Sequence, residues 1–253
     1  MQKTNIEWSE VTSNVTSGCD SVSDGCKYCY ARTLSKRLKA MGSKKYKDGF
    51  KLRLHPEELK RPYKWKKPKL VFLNSMSDLF HKDVPSSYIQ EVFHMMNSTQ
   101  QHTYQVLTKR PERALELASQ LSWSKNIWMG VSIENEKVMN RLAILKKIPA
   151  KLRFLSLEPL IGPLPHLNLS KIKWVIVGGE SSAHARPIDP LWVKEIHIKC
   201  KLKQVPFFFK QWGVTRHNPN PMDPTIKANH PLHAKGGCQL FDKVYREMPE
   251  IER

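Results

Sequence analysis

Three cysteines near the N-terminus are the residues whose type and spacing are best suited to chemistry. Cys19, Cys26 and Cys29 form a C-x6-C-x2-C pattern, and a helix-like segment from Ala31 to Ala40 follows them. Three thiolates this close in sequence can face one centre, and clustered cysteines in a reducing compartment indicate metal binding before disulfides. The pattern therefore predicts a metal site.

Two kinds of metal site are open to this pattern. Structural zinc prefers four Cys or His ligands, so a zinc site would add a histidine such as His55 or His81. Neither histidine stands at the spacing of a usual zinc motif. A [4Fe-4S] cluster on three cysteines keeps one iron open to another ligand, which extends the ordinary four-cysteine rule and would permit catalysis. We expect the iron–sulfur cluster, with zinc as the alternative.

The other two cysteines lie far along the chain. Cys200 and Cys238 are isolated, and a lone cysteine is most often a small buried hydrophobic residue. We place both outside the predicted cluster. Cys238 follows two glycines and is the better candidate for a fourth ligand.

Short β-branched and aromatic runs alternate with amphipathic segments, which is typical of a βαβ architecture. A chain of 253 residues is also a common length for one α/β barrel. We expect one α/β domain over residues 1–253, a parallel, partial TIM-type barrel of about six or more βα units with an N-terminal Cys-cluster loop. A basic insertion at 36–69 and a C-terminal extension at 214–253 would be added to it. The predicted strands are 10–17, 69–74, 104–108, 127–133, 152–157, 173–177 and 205–209, and the predicted later helices are 86–97, 111–121, 136–147 and 190–201.

Polar or Gly-rich segments follow nearly every predicted strand. In a parallel barrel these segments meet at the C-terminal rim, where active sites lie. Polar connections are the simpler explanation, but Glu, Lys and Arg recur directly after buried strands more often than turns require. We expect one cavity beside the cysteines, lined by Ser75, Asp78, Glu134, Glu158 and Glu180.

The net charge of +19 is large for this length and predicts attraction to polyanions. Residues 36–69 contain 14 basic and 3 acidic residues, a net of +11, with aromatic residues interleaved. Such a stretch is typical of nucleic-acid contact, although a solvated basic face is the alternative. Chain connectivity predicts that much of this charge lies near the cysteines. The residues predicted to contact nucleic acid are Arg110, Lys64, Lys66 and Lys67.

No apolar run approaches the roughly 18 to 20 residues that a membrane-spanning helix needs. The N-terminal residues also lack the apolar stretch of a secretory signal. We therefore expect a cytoplasmic protein with reduced thiols and no membrane partner.

Three longer motifs carry a family resemblance, together with the cysteine segment. They are FLSLEPLIGP at 154–163, WVIVGGESSAHARP at 174–187 and PFFFKQWG at 206–213. With these motifs the chain resembles the phage Gp37/Gp68 family, also called the three-Cys-motif or DUF5131 family, over almost its whole length. Within that family the cluster and barrel are similar to radical S-adenosylmethionine enzymes, in particular those of the spore photoproduct lyase type.

The sequence departs from the radical S-adenosylmethionine pattern in two places. The usual C-x3-C-x2-C signature has six residues between its first two cysteines here, while the step from Cys26 to Cys29 keeps the aromatic residue before the last cysteine. The Gly-Gly-Glu motif of such enzymes follows the second strand, whereas residues 178–180 come about five strands later. Ser75, Ser77 and Asp78 follow the second strand instead and could hold a methionyl ammonium.

The resemblance implies a [4Fe-4S] cluster, S-adenosylmethionine, an electron donor and a 5′-deoxyadenosyl radical. The expected function is modification or repair of a nucleic acid or nucleotide. An Fe-S or zinc nucleic-acid-binding protein without catalysis, or a radical enzyme acting on a protein or small metabolite, is the alternative. The implied catalytic residues are Glu158, Glu180 and Lys210, and the implied cofactor contacts are Ser75, Ser77, Asp78, Glu134, Asn135, Gly178 and Gly179.

Overall fold

The computed structural model describes residues 4, 6–220, 225, 227, 230, 232–241 and 243–251. Within these residues, seven parallel strands form one curled sheet, a half-barrel in which spatial order follows chain order. This confirms the predicted α/β, partial TIM-type barrel. The strands of the sheet are β1 (Val11–Ser13), β4 (Leu70–Leu73), β5 (Thr103–Thr108), β6 (Ile127–Ser132), β7 (Leu152–Leu157), β8 (Trp174–Gly178) and β9 (Phe207–Gln211).

Two small antiparallel pairs lie outside this sheet. β2 (Thr16–Ser17) pairs with β3 (Arg53–Leu54), and β10 (Gln239–Leu240) pairs with β11 (Lys243–Val244). The first pair ties the chain just before the cysteines to the segment that follows the first helix.

Five α-helices connect the strands within the described residues. The predicted helix at 111–121 ends early and is followed by a 3-10 turn at 118–120, and the one predicted at 136–147 begins with a 3-10 turn at 136–138. Such turns are frequent at helix ends. The helices are α1 (Tyr30–Ala40), α2 (Ser86–Ser98), α3 (Pro111–Glu116), α4 (Asn140–Leu145) and α5 (Pro190–Leu202).

The part of the predicted C-terminal extension that the structure describes packs against the edge strand β9. Phe209 donates its N–H to the Tyr245 carbonyl at 3.0 Å, and Trp212 donates to the Gly237 carbonyl at 3.0 Å. The remainder of 214–253 lies outside the described residues.

Aromatic side chains fill the lower part of the half-barrel. Trp174 is at their centre, with ring centroids 6.1 Å from Trp8, 6.2 Å from Trp128, 5.6 Å from Phe154 and 6.1 Å from Phe208. We call these five residues the aromatic floor. Because it is packed, the floor closes the half-barrel at the N-terminal ends of the strands and leaves the C-terminal ends open to a ligand.

The alternation of side chains along each strand places the charged residues directly above this floor. Residues two apart on a strand share one face. Counting in twos from Phe154 leads through Ser156 to Glu158, and the same count on β9 leads from Phe208 to Lys210. On this face of β7 and β9, the side chains are therefore aromatic at the bottom of the half-barrel and polar or charged at the top.

No helix among the described residues has the length and apolar composition needed to cross a membrane.

Gly130 on β6 provides the space in which the floor packs. A Cβ at this position would lie 2.4 Å from Cζ of Phe154, which is fully buried. We expect Gly130→Ala to lower the unfolding free energy by about 1–3 kcal/mol through overpacking. Urea denaturation of the variant measures the loss.

The matched control is Gly130→Ala combined with Phe154→Leu. Because the smaller side chain makes room for the new methyl group, the double variant should lose less stability than the two single losses added together. Strictly additive losses would show that the close approach is not what requires glycine.

Candidate active site

The three predicted metal ligands line one cavity at the C-terminal rim. Cys19, Cys26 and Cys29 all face a space of about 440 Å³ above the aromatic floor. Gly18 sets the entry of the cysteine segment, with φ of +84° and a position where a Cβ would lie 2.2 Å from the Lys51 carbonyl oxygen. A side chain at this position would both clash and be strained.

The sulfur spacing tests which metal group these thiols fit. In a tetrahedral zinc site, with Zn–S bonds of about 2.3 Å, sulfurs lie about 3.8 Å apart. The sulfurs of Cys19, Cys26 and Cys29 do not all lie within 4.8 Å of one another. As arranged, the three thiols are therefore too widely spaced to bind one zinc ion together.

The histidines considered as zinc ligands have other partners. His55 Nε2 lies 2.8 Å from the Ser17 hydroxyl. His81 Nε2 lies 3.1 Å from the Asp20 carboxylate, and its Nδ1 lies 3.7 Å from Asp83. One ligand atom from each of Asp20, His81 and Asp83 lies within 4.8 Å of the others, so His81 belongs to a separate group with these carboxylates.

Arg110 contacts the cysteine segment directly. Its Nη1 donates to Cys19 Sγ at 3.3 Å and to Asp78 Oδ2 at 3.1 Å, and its Nη2 donates to the Asp20 carbonyl at 3.1 Å. Burial and the Asp78 carboxylate raise the pKa of the Cys19 thiol, while Arg110 opposes that rise. Arg110 therefore lies beside the thiols, and its contact with nucleic acid stays a prediction.

Asp78 lines the cavity, but the protein occupies its oxygens. Oδ1 accepts from the Thr108 hydroxyl at 2.7 Å and the Phe80 N–H at 3.0 Å. Oδ2 accepts from the Lys109 N–H at 3.0 Å and from Arg110. A carboxylate has about four lone-pair sites, so this one has none left for a cofactor ammonium.

The neighbouring serines also line the cavity. Ser75 donates its hydroxyl to Asn14 Oδ1 at 3.2 Å, and Ser77 donates to the Thr16 carbonyl at 2.9 Å. Each hydroxyl keeps acceptor capacity that a ligand could use. Of the three residues predicted after the second strand, the serines are therefore better suited to a ligand than Asp78.

Glu134 does not line the cavity. It is fully buried, accepts from Arg141 Nη1 at 2.9 Å, and accepts from the Gly25 N–H of the cysteine segment at 3.2 Å. Asn135 instead caps the turn at 136–138, where its Oδ1 accepts from the Lys137 N–H at 3.2 Å. Both were predicted as cofactor contacts, but in the structure each has a protein partner and neither lines the cavity.

Glu180 also holds the cysteine segment, through an arginine that sequence reasoning missed. Its Oε2 accepts from Arg186 Nε at 3.0 Å and from the Arg186 N–H at 2.9 Å, and a further Arg186 nitrogen contacts its other oxygen. Arg186 Nη2 also donates to the Asp24 carbonyl at 2.8 Å. Only the six-residue separation from Glu180, within the polar stretch after β8, could have pointed to this arginine.

Glu158 and Lys210 form an ion pair inside the cavity. Lys210 Nζ lies 2.9 Å from Glu158 Oε1, and only about a sixth of either side chain is exposed. The other carboxylate oxygen accepts from the Ser156 hydroxyl at a longer 3.4 Å. Neither residue is tied to the cysteine segment, so both keep hydrogen-bonding capacity for a ligand.

The two glycines after β8 make room for this pair. A Cβ at Gly178 would lie 3.0 Å from Glu158 Oε1, and one at Gly179 would lie 2.2 Å from the Trp212 carbonyl oxygen. Gly179 lines the cavity, whereas Gly178 is absent from its wall. Gly178 thus shapes the site through Glu158.

Lys64, Lys66 and Lys67 lie at the other end of the barrel. They precede the first residue of β4, and the Trp65 ring packs 5.2 Å from His102, which precedes β5. The His102 ring nitrogen also lies 3.0 Å from the Pro62 carbonyl. The basic stretch therefore runs from the cysteine rim down to the N-terminal ends of the strands, and these lysines do not adjoin the cavity.

Comparison with known proteins identifies one family. The family described as "Protein of unknown function (DUF5131)" matches residues 3–249. No curated protein matches the chain.

Six chains of solved structures match, and each is a form of spore photoproduct lyase. A cysteine-to-serine mutant is 16% identical, with a TM-score of 0.46, over 67% of this chain and 56% of that chain. A double mutant with bound AdoMet and dinucleoside spore photoproduct is 14% identical, with a TM-score of 0.45, over the same shares. This chain thus spans little more than half the length of those it matches.

The hydrogen bond from Arg110 to Cys19 predicts that Arg110 affects the reactivity of this thiol and not that of Cys26 or Cys29. We expect Arg110→Gln to slow alkylation of Cys19 by iodoacetamide several-fold at mildly alkaline pH, because loss of the cation raises the pKa of this thiol further and only the thiolate reacts. Peptide mass mapping of the reduced, chelator-treated protein measures each rate.

Cys26 and Cys29 are internal references, and their rates should stay the same. Equal change at all three thiols would mean that the whole segment had lost its structure. An unchanged rate at Cys19 would show that Arg110 does not contact it in solution.

Proposed function

The chain belongs to the DUF5131 family, and we propose that it is a radical S-adenosylmethionine-type enzyme acting on a nucleic acid or nucleotide. One observation carries the proposal: three cysteines and the Glu158–Lys210 ion pair line the same cavity at the C-terminal rim of a half-barrel. Active sites of parallel barrels lie at this rim. At about 440 Å³ the cavity also falls within the range of small-molecule sites.

Cys19, Cys26 and Cys29 are the residues that would hold a [4Fe-4S] cluster. With S-adenosylmethionine and an electron donor, that group supplies a 5′-deoxyadenosyl radical, which is chemistry that no side chain provides. The side chains of the protein would bind and orient the ligand and protect the reactive species from water.

Arg110 would influence the potential of the cluster, and the apolar walls would keep water away from it. Arg110 places a charged hydrogen-bond donor on Cys19, and hydrogen bonds to ligand sulfurs are one of the ways in which proteins set the potential of such clusters. Phe72 and Leu107 line the lower part of the cavity. These apolar side chains limit the water that can reach a reactive species.

Glu158 and Lys210 are the proposed ligand-binding and catalytic pair. The carboxylate has free lone pairs for an amino or amide group of the ligand, and the ammonium has two N–H donors beyond the one directed at Glu158. A partly buried ammonium is also a suitable proton donor at the end of a reaction. Ser75 and Ser77 would add cofactor contacts from the opposite wall.

The first test is the metal content of anaerobically purified and reconstituted protein. We expect visible absorption, about four irons per chain and release of 5′-deoxyadenosine from S-adenosylmethionine on reduction. Single Cys19→Ala, Cys26→Ala and Cys29→Ala variants should each lose most of the iron. Cys200→Ala is the control, because Cys200 is buried on α5.

Loss of iron in the Cys200→Ala control would contradict the assignment of the cluster to Cys19, Cys26 and Cys29. Stoichiometric zinc after anaerobic purification would contradict an iron–sulfur cluster altogether. Iron retention without any 5′-deoxyadenosine would favour the non-catalytic nucleic-acid-binding protein.

Glu158→Gln and Glu180→Gln separate ligand binding from support of the cysteine segment. Because the side-chain partners of Glu158 among the described residues are Lys210 and Ser156, its amide variant should keep its iron and lose about 10²- to 10⁴-fold in 5′-deoxyadenosine formation, the effect expected for a general acid–base residue. The amide at 180 weakens the bond to Arg186 that reaches Asp24 and should lower iron retention itself. Iron analysis and turnover of the same samples measure both.

Equal iron loss in the two variants would assign Glu158 a structural role. Full activity of Glu158→Gln would remove it from the ligand site.

A further inference from the structure

Helix α1 is buried along one narrow face only. Ala31 and Ser35 are buried and Leu38 is half-buried, whereas most of the remaining surface is exposed. That exposed surface contains four cations and no carboxylate: Arg32, Lys36, Arg37 and Lys39.

The spacing of these cations is unfavourable for an isolated helix. Arg32 and Lys36 are four residues apart, and Lys36 and Lys39 are three apart, so like charges lie side by side. Within the described residues no carboxylate pairs with any of them, and Arg32 donates to the Ser21 hydroxyl at 3.0 Å. The chain leaves this repulsion uncompensated, and an external anion would relieve it.

The helix lies at the mouth of the cavity. It begins directly after Cys29, and its first residue, Tyr30, lines the cavity wall. Ala31 and the half-buried Leu38 pack in one cluster with Tyr46, Met76 and Phe50, and Phe50 lines the cavity too.

The segment that follows α1 extends the same charge. Lys44, Lys47 and Lys51 are exposed between the helix and β3, and the Cys19 N–H donates to the carbonyl of Phe50, next to Lys51. We define the rim cation surface as Arg32, Lys36, Arg37, Lys39, Lys44, Lys47 and Lys51.

Exposed apolar side chains are interspersed with this charge. Tyr30 is 51% exposed, Leu34 39% and Met41 80%. A phosphate backbone needs cations and its bases need flat or apolar contacts, so a nucleic-acid strand uses both features. A small inorganic anion would leave the apolar groups unused.

We propose that the rim cation surface binds the phosphodiester backbone of a nucleic acid and presents one nucleotide at the mouth of the cavity. Presentation of a nucleotide for reaction rests on the proposed enzyme function. Binding of the phosphodiester backbone requires only the rim cation surface. Lys64, Lys66 and Lys67, at the opposite end of the strands, are excluded from the interface.

Two triple variants test the proposal, each of which removes three positive charges. The first is Lys36→Gln, Arg37→Gln and Lys39→Gln, and the matched control is Lys64→Gln, Lys66→Gln and Lys67→Gln. Fluorescence anisotropy with 20-nucleotide single-stranded and duplex DNA and RNA measures affinity against salt concentration. Both proteins should retain the circular dichroism spectrum and melting temperature of the parent, because exposed lysines contribute little to stability.

We expect binding to weaken by about 0.7–0.9 in log K per log unit of salt for each phosphate neutralised. The rim variant should lower this slope by about two to three, one unit per lost contact. The control variant should keep the parent slope. Equal reduction in both variants would mean a diffuse effect of net charge, and reduction in the control alone would move the interface to the other end.

Absence of binding to any oligonucleotide at low salt would overturn the proposal. So would binding to phosphatidylserine vesicles that depends on Lys36, Arg37 and Lys39 more strongly than nucleic-acid binding does, because the surface would then be a membrane contact. The assay is run on protein with and without reconstituted metal. Nucleic-acid binding that depends on the rim cation surface, without 5′-deoxyadenosine formation, would contradict the proposed enzyme activity and support the proposed binding surface.

Discussion

The cysteine segment depends on charged groups at the ends of the barrel strands. It is short, and its turn at 24–26 buries only Gly25, so apolar packing cannot fix it. Glu134 accepts from Gly25, Arg186 donates to Asp24, and Arg110 donates to Cys19 itself. The Glu134 bond is buried and the Arg110 bond is partly buried, surroundings in which hydrogen bonds to charged groups are strong, whereas the Arg186 bond lies at the surface. The rim therefore fixes the position of the segment that carries the three thiols.

This dependence divides the rim carboxylates into two groups. Glu134 and Glu180 are paired with Arg141 and Arg186 and hold the segment. Glu158 is paired with Lys210 inside the cavity and has no contact with the segment among the described residues. Glutamates that follow three successive strands thus differ in their partners: an arginine from the connection or helix that follows its own strand reaches Glu134 and Glu180, whereas Lys210 of β9 reaches Glu158.

The half-barrel supplies the rigidity that this arrangement needs. Its lower part is closed by the aromatic floor, and its edge strand β9 is covered by the segment around Tyr245. The open upper part is bordered on one side by α1, whose cations have no carboxylate partner among the described residues. A deep apolar site, a charged pair and a cationic border therefore lie at the same end of the molecule.

The sequence alone determined the parallel barrel, the seven strands and the meeting of the cysteines with the rim, because these follow from hydrophobic periodicity and from the geometry of parallel strands. It could not show that Glu134 is sealed under Gly25, that Asp78 is saturated by Thr108, Lys109 and Arg110, or that Arg186 reaches Glu180. The bonds of Glu134 and Asp78 join segments that are distant in sequence, and the Glu180–Arg186 pair, although only six residues apart, lies in an irregular connection with no helix or strand spacing. The tertiary structure also decided where each part of the basic stretch lies. Before a parallel strand begins, the chain must run back to the N-terminal end of that strand. Lys64, which precedes β4, therefore lies far from the cysteines at the C-terminal rim.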